Sequence, residues 1–130
     1  MRLGLAVQLA FDVDHPFFFE HPCDHVPGLA LIEAGRQSGL VVAHRFYDVP
    51  TEGVSFFVRE LVARFDGFAA LDAPVFGYGV VTDVRRKRGR VASMRYTGHY
   101  LQQGASIGTL TGEWTIVDTA VMARLRRQAT

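Results

Sequence analysis

The chain has 130 residues, 48% of them hydrophobic, and 14 Lys and Arg against 13 Asp and Glu give a formal charge of +1. That length fits one domain, 1–130, with a real core, and five prolines without a long polar run argue against disorder. The charge balance carries no whole-chain signal for nucleic acid, and the single cysteine excludes an internal disulfide and suits a reducing compartment.

Leu3 to Asp12 alternates in part and reads as a first strand. The opening MRLGLAVQLAF is short and broken by Gln8. It is therefore read as neither a secretion signal nor a membrane span, and the expected address is the cytoplasm. Asp14-His15-Pro16 ends the strand, and Phe17 to Phe19 form a bulky wall whose plainest reading is core packing.

A helix is expected from Gly28 to Ala43. Pro27 suits its first turn, no proline follows, and Leu29, Ile32, Leu40 and Ala43 recur at helical spacing. The run is apolar on more than one face, so the helix is expected to be largely buried. Gly35 and Gly39 each cost about 1 kcal/mol in a helix interior, which implies that something packs close to the backbone there. Glu33, Arg36, Gln37, Leu40 and His44 share one face, and a charged pair there needs a partner or a function.

Val54 to Phe65 reads as a strand rich in Val and Phe, though its period also allows a helix; Asp66-Gly67 is a turn. Val75 to Val84 and Arg90 to Leu101 read as a long hairpin closed by a basic turn, Arg85 to Gly89. Gln102 to Gly104 turns again, Ala105 to Trp114 is a last strand, and Val117 to Arg127 forms a terminal helix. The order of strand, long helix, then strands predicts an α+β antiparallel sheet curled round one helix.

Four stretches carry a resemblance: FFFEHPCDHVPG (Phe17 to Gly28), EAGRQ (Glu33 to Gln37), AHRFYDVP (Ala43 to Pro50) and SFFV (Ser55 to Val58). They resemble the A-factor biosynthesis hotdog family, which makes γ-butyrolactone signalling molecules. More distantly they are similar to the β-hydroxyacyl-carrier-protein dehydratases, whose catalytic histidine and helix carboxylate fall on His21 and Glu33. The chain departs from the dehydratases in a shorter link from His21 to Pro27 and in Arg36. The resemblance implies a single hotdog fold, a strand at Val54 to Phe65, and acyl-carrier-protein or coenzyme A thioesters as substrates. Those synthases carry two such units and this chain has one, so a homodimer or a separate partner is implied.

The catalytic candidates are His21, Glu33 and Arg36. A histidine and a carboxylate divide proton transfer between them. For dehydration, Glu33 would have to be protonated. Arg36 at i+3 favours the ionised form, which suits a base acting on an alcohol, so acyl transfer is favoured over dehydration. The resemblance also implies a phosphorylated acceptor, whose phosphate Arg36 suits. Phe18, Asp24, His25, Gly28 and Gln37 are the substrate-binding candidates. The N–H groups at Gly28 are placed to polarise a thioester carbonyl. The alternative is a Glu33–Arg36–Gln37 network that only ties the helix to a second copy. In that case, breaking a buried pair costs about 3–5 kcal/mol.

His21 and His25 lack further ligands at a metal spacing, so neither a metal nor a cofactor is expected. Asp24 and His25 are read as bonding the loop or orienting His21. Cys23 is read as a bystander and His44 as capping carbonyls; His15 and His99 carry no constellation. Arg85, Arg86, Lys87, Arg88 and Arg90 are either a solvated hairpin tip or a docking patch for an acidic carrier protein or the phosphates of coenzyme A. No aromatics interleave with them, so nucleic acid is not the expected partner. A non-catalytic acyl-binding or dimerising module remains the other class of function.

Overall fold

Long alternating runs after residue 54 make long strands, and a hydrophobic run with two glycines makes the helix they enclose. The computed structural model describes residues 4–15, 18–19 and 24–129. Its elements are β1 (Gly4–Leu9), α1 (Gly28–Phe46), β2 (Val54–Phe65), β3 (Val75–Lys87), β4 (Arg90–Gln102), β5 (Ala105–Asp118) and α2 (Thr119–Ala129). The strands form one antiparallel sheet in the order β1-β3-β4-β5-β2, with α1 against its concave face. This is the hotdog arrangement that the element order and the resemblance implied.

Several boundaries differ from expectation. The basic turn is two residues, not five. Arg88 and Gly89 take positive φ (53° and 78°), as Gln103 and Gly104 do in the next turn (52° and 79°), and this mirror-image turn matches the twist of a hairpin. β3 therefore runs through the cations to Lys87, and β5 runs on to Asp118.

The concave face splits into two clusters along α1. Val42, Ala43, Tyr96 and Trp114 pack round its C-terminal half, and Ala30, Leu31, Tyr100 and Leu110 round its N-terminal half. Gly35 shows why a small residue is needed. A Cβ there would overlap the Leu110 side chain and lie 2.5 Å from the Tyr100 hydroxyl. Tyr100 in turn donates to the Leu31 carbonyl (2.5 Å), and burial pushes its phenol pKa up.

The helix is buried on one side only, which corrects the expectation of a largely buried helix. Leu29 is 58% exposed, and Val41 and Phe46 are also exposed. β2 is equally open. It is an edge strand, with a bulge between Val58 and Glu60, and Phe57, Val58, Leu61 and Val62 are exposed along it. Five strands wrap the helix, but the β2 edge and the outer side of α1 remain uncovered. Among the described residues no helix is long and apolar enough to cross a membrane.

Candidate functional site

The start of α1 is placed by a glutamine far along the chain. Gln102, buried, accepts a hydrogen bond from the Ala70 N–H (2.8 Å) and donates to the Ala70 and Ala73 carbonyls (2.9 and 3.0 Å). The segment it anchors pairs with the loop before the helix: Val26 N–H donates to Ala69 (2.8 Å), and His25 bridges to Ala70. Pro27 follows as the capping residue, and its carbonyl accepts from Ala30 and Leu31 (3.0 and 3.2 Å). The N–H groups of Gly28 and Leu29 precede the first helical bond and carry the positive end of the helix dipole.

A cavity of about 330 Å³ opens at this helix start, lined by His25, Gly28, Leu31, Phe65 and Phe68 among others. His25 bonds Asp24 (Nδ1 to Oδ1, 3.0 Å) and lies against the exposed Phe68 ring. The hydrogen bond to His25 holds the Asp24 carboxyl below its ordinary pKa. Asp24 and His25 thus bond one another.

A second cavity, about 320 Å³, lies on a neighbouring side of the first helical turns. It is lined by Phe11, His15, Phe18, Phe19, Glu33 and Gln37 with smaller residues. The Phe18 and Phe19 rings also pack against the core, so packing and lining are the same surface. The Phe18 N–H donates to His15 Nδ1 (3.4 Å), and the two rings lie 4.8 Å apart, tilted by 40°. With Nδ1 accepting, a neutral His15 ring carries its proton on Nε2.

Glu33 is held by its own helix. Arg36 donates from Nε to Oε2 (2.8 Å) and from Nη2 to Oε1 (2.6 Å), and Gln37 donates to Oε1 (3.1 Å). The two-pronged bond from Arg36 is the main cause that lowers the Glu33 pKa to about 2. Partial burial opposes it, and the Gln37 bond and the Arg36 charge add to it. Arg36 is raised by the same contact. At neutral pH Glu33 is a carboxylate. The side chains are 32% (Glu33) and 43% (Arg36) exposed. The pair is therefore not the buried one that would cost 3–5 kcal/mol to break, and a half-solvated pair is worth about 1 kcal/mol or less.

The structure therefore brings together Phe18, Glu33 and Gln37 with Arg36 behind Glu33, and places His25 and Gly28 in a separate cavity. His21 and Cys23 lie outside the described residues. Two residues were missed. His15 was set aside, yet the turn begun by Asp12 and Asp14 carries it to the Glu33 cavity. Gln102 was read only as part of a turn, and no local signal marks its long-range bonds. His44 bonds the Val49 carbonyl (2.8 Å), beyond the helix rather than within it. The basic residues Arg86, Lys87, Arg88 and Arg90 line a third cavity, at the far end of α1; Arg85 is exposed beside it.

The sequence profile of the A-factor biosynthesis hotdog domain matches residues 2–118. The chain is 32% identical over 105 residues to a 2-oxo-3-(phosphooxy)propyl 3-oxoalkanoate synthase of Streptomyces coelicolor, covering 81% of this chain and 30% of that protein. It thus spans less than a third of the length of the curated relatives it matches. Among solved structures, a hot-dog-like protein of Thermanaerovibrio acidaminovorans superposes with a TM-score of 0.70 at 14% identity, covering 99% of this chain and 90% of that one. A thioesterase superfamily member of Thermus thermophilus gives 0.67 at 13% identity, with the same coverage. The two structures share the fold alone; the profile match shows that the chain belongs to the A-factor biosynthesis hotdog domain family.

Proposed function

We propose that the chain acts on acyl-carrier-protein or coenzyme A thioesters and transfers the acyl group to an alcohol, in γ-butyrolactone-type or other secondary metabolism. The observation that carries this reading is the two-pronged bond by which Arg36 holds Glu33 as a carboxylate at the wall of a cavity that Phe11, Phe18 and Phe19 also line. In the proposed step Glu33 takes the proton of the acceptor hydroxyl as its oxygen attacks the thioester carbonyl. The thiolate leaves and recovers that proton from the Glu33 carboxyl. Gly28 lines the neighbouring cavity, so its N–H is proposed to stabilise the oxyanion of a thioester that spans the two, and His21 to share the proton work. The half-exposed Arg36 guanidinium has N–H groups left over for the phosphate of a phosphorylated acceptor, the group that the relatives' name contains. Dehydration is the second reading. It needs a protonated carboxyl, and the two-pronged bond from Arg36 opposes one.

The intact mass of an acylated carrier protein incubated with the chain and an alcohol tests this. Loss of the acyl group to the alcohol is expected. Loss of water instead favours dehydration, and tight binding without change favours a binding module.

We also propose a homodimer. Leu29 is exposed beside Glu33, and β2 offers unpaired edge groups beside exposed Phe57, Val58 and Leu61, a surface that a second copy covers. Light scattering should give about twice the chain mass of 14.4 kDa, and a monomer at micromolar concentration would sink the idea.

A further inference from the structure

The cavity beside Glu33 has a floor, a wall and a mouth of different chemistry. The floor is one face of α1, where Ala30 and Ala34 stand one turn apart. The wall is aromatic: Phe11 follows β1, and Phe18 and Phe19 follow the turn at His15. All three rings pack against the core cluster that holds Ala30, so the inner end abuts the core. Exposure marks the mouth. Asp12 and Gln37 are exposed and Glu33 is partly so, whereas Ala30 is buried.

The lining selects the kind of group that enters. Among the described residues no lysine or arginine lines the cavity, and its acids are Asp12 and Glu33. An anion passing two acids with no lysine or arginine facing it is repelled, whereas a neutral hydrocarbon chain is taken out of water by three phenyl rings and two methyl groups. The volume, about 320 Å³, bounds that chain. A methylene takes about the volume share of one water molecule, roughly 30 Å³, so there is room for about ten carbons at most.

We propose that this cavity holds the acyl chain of the thioester and that Ala34 limits the length of chain it accepts. The proposal rests on the acyl-thioester reading above and adds which chains the site takes. The thioester carbonyl then stays at the mouth, between Gly28 and Glu33, and the acceptor alcohol approaches from the open side, where Arg36 is 43% exposed. Ala34 differs from its neighbour in what a larger side chain displaces. At Gly35 an added carbon overlaps the buried Leu110, but the half-buried Ala34 borders the cavity, so added carbons there take up cavity volume.

Calorimetric titration with S-alkyl pantetheine thioethers, butyl to dodecyl, tests this without turnover, because a thioether has no carbonyl to attack. Affinity should rise about fourfold per methylene while the chain is being buried and level off at about ten carbons. Ala34→Leu adds three carbons to the floor, so the levelling point should move about three carbons shorter. Phe18→Ala opens the wall and should move it longer. An unchanged or higher Tm shows that Ala34→Leu is folded, as expected of a good helix former that fills a cavity. If that variant does not fold, Phe18→Ala decides alone.

Wild-type affinity that does not depend on chain length, or a levelling point that stays in place in the folded variants, overturns the proposal. So does a levelling point that moves in Phe68→Ala and in neither of the other variants, which puts the chain in the helix-start cavity instead. If the levelling point moves as expected in a chain that turns over no thioester, the acyl cavity and the role of Ala34 are supported and only the transfer reading falls.

Discussion

Replacing Glu33 with Gln is expected to lower acyl-thioester turnover by roughly two to four orders of magnitude while the protein stays folded. Gln keeps the size of the side chain and can still accept from Arg36, but it cannot take a proton. The pair it weakens is half-solvated, so the stability loss is about 1 kcal/mol or less, a Tm change of a few degrees. A merely structural Glu33 gives the opposite pattern, with a lower Tm and full activity per folded molecule. Arg36→Met makes the complementary point. Without its two-pronged donor the carboxyl returns toward the ordinary range of about 4.5, so the low-pH limb of the rate profile should move upward in pH. A group with a depressed pKa keeps its benefit above that ordinary value and loses it as pH falls through about 2, so the wild-type limb lies at strongly acidic pH.

The largest stability effect is expected at Gly35. Gly35→Val places carbon where the Leu110 side chain and the Tyr100 hydroxyl already lie, and Leu110 is fully buried. Relief requires moving a core leucine and breaking the Tyr100 bond to Leu31. Overpacking of this kind costs about 2–3 kcal/mol, a fall in Tm on the order of 10 °C. Gly39→Ala is the control. Its added carbon would lie 3.5 Å from the Tyr96 ring and 3.7 Å from that of Trp114, ordinary contact distances, and Ala is the better helix former by about 1 kcal/mol. That variant should be neutral or more stable. Equal losses at both glycines would mean that the packing against Gly35 is not what excludes a side chain.

Much of this fold was legible because its signals are local. β2 runs from Val54 to Phe65 as expected, although its period also allowed a helix and the resemblance decided for the strand. The hairpin tip was read too wide because a run of Arg and Lys looks like a loop. The backbone reverses only where Arg88 and Gly89 take positive φ. In the site, the Glu33, Arg36 and Gln37 cluster followed from helical spacing, since i+3 and i+4 neighbours meet on one face. The separation of Gly28 and His25 from Glu33 did not follow. It depends on how the loop before the helix is pinned, and that is done by Gln102, which reaches Ala70 across 32 residues. Sequence spacing also hid His15, because a turn rather than a regular element brings it to the cavity.

Whether Glu33 serves as a base or an acid turns on one proton. A carbon-13 NMR titration of the Glu33 side-chain carboxyl, assigned by its loss in Glu33→Gln, measures that proton directly. The account predicts a midpoint near 2, with the carboxylate fully ionised at neutral pH. A midpoint above the ordinary value of 4.5 would contradict it, leave a protonated acid available near neutral pH, and move the chemistry from acyl transfer to dehydration.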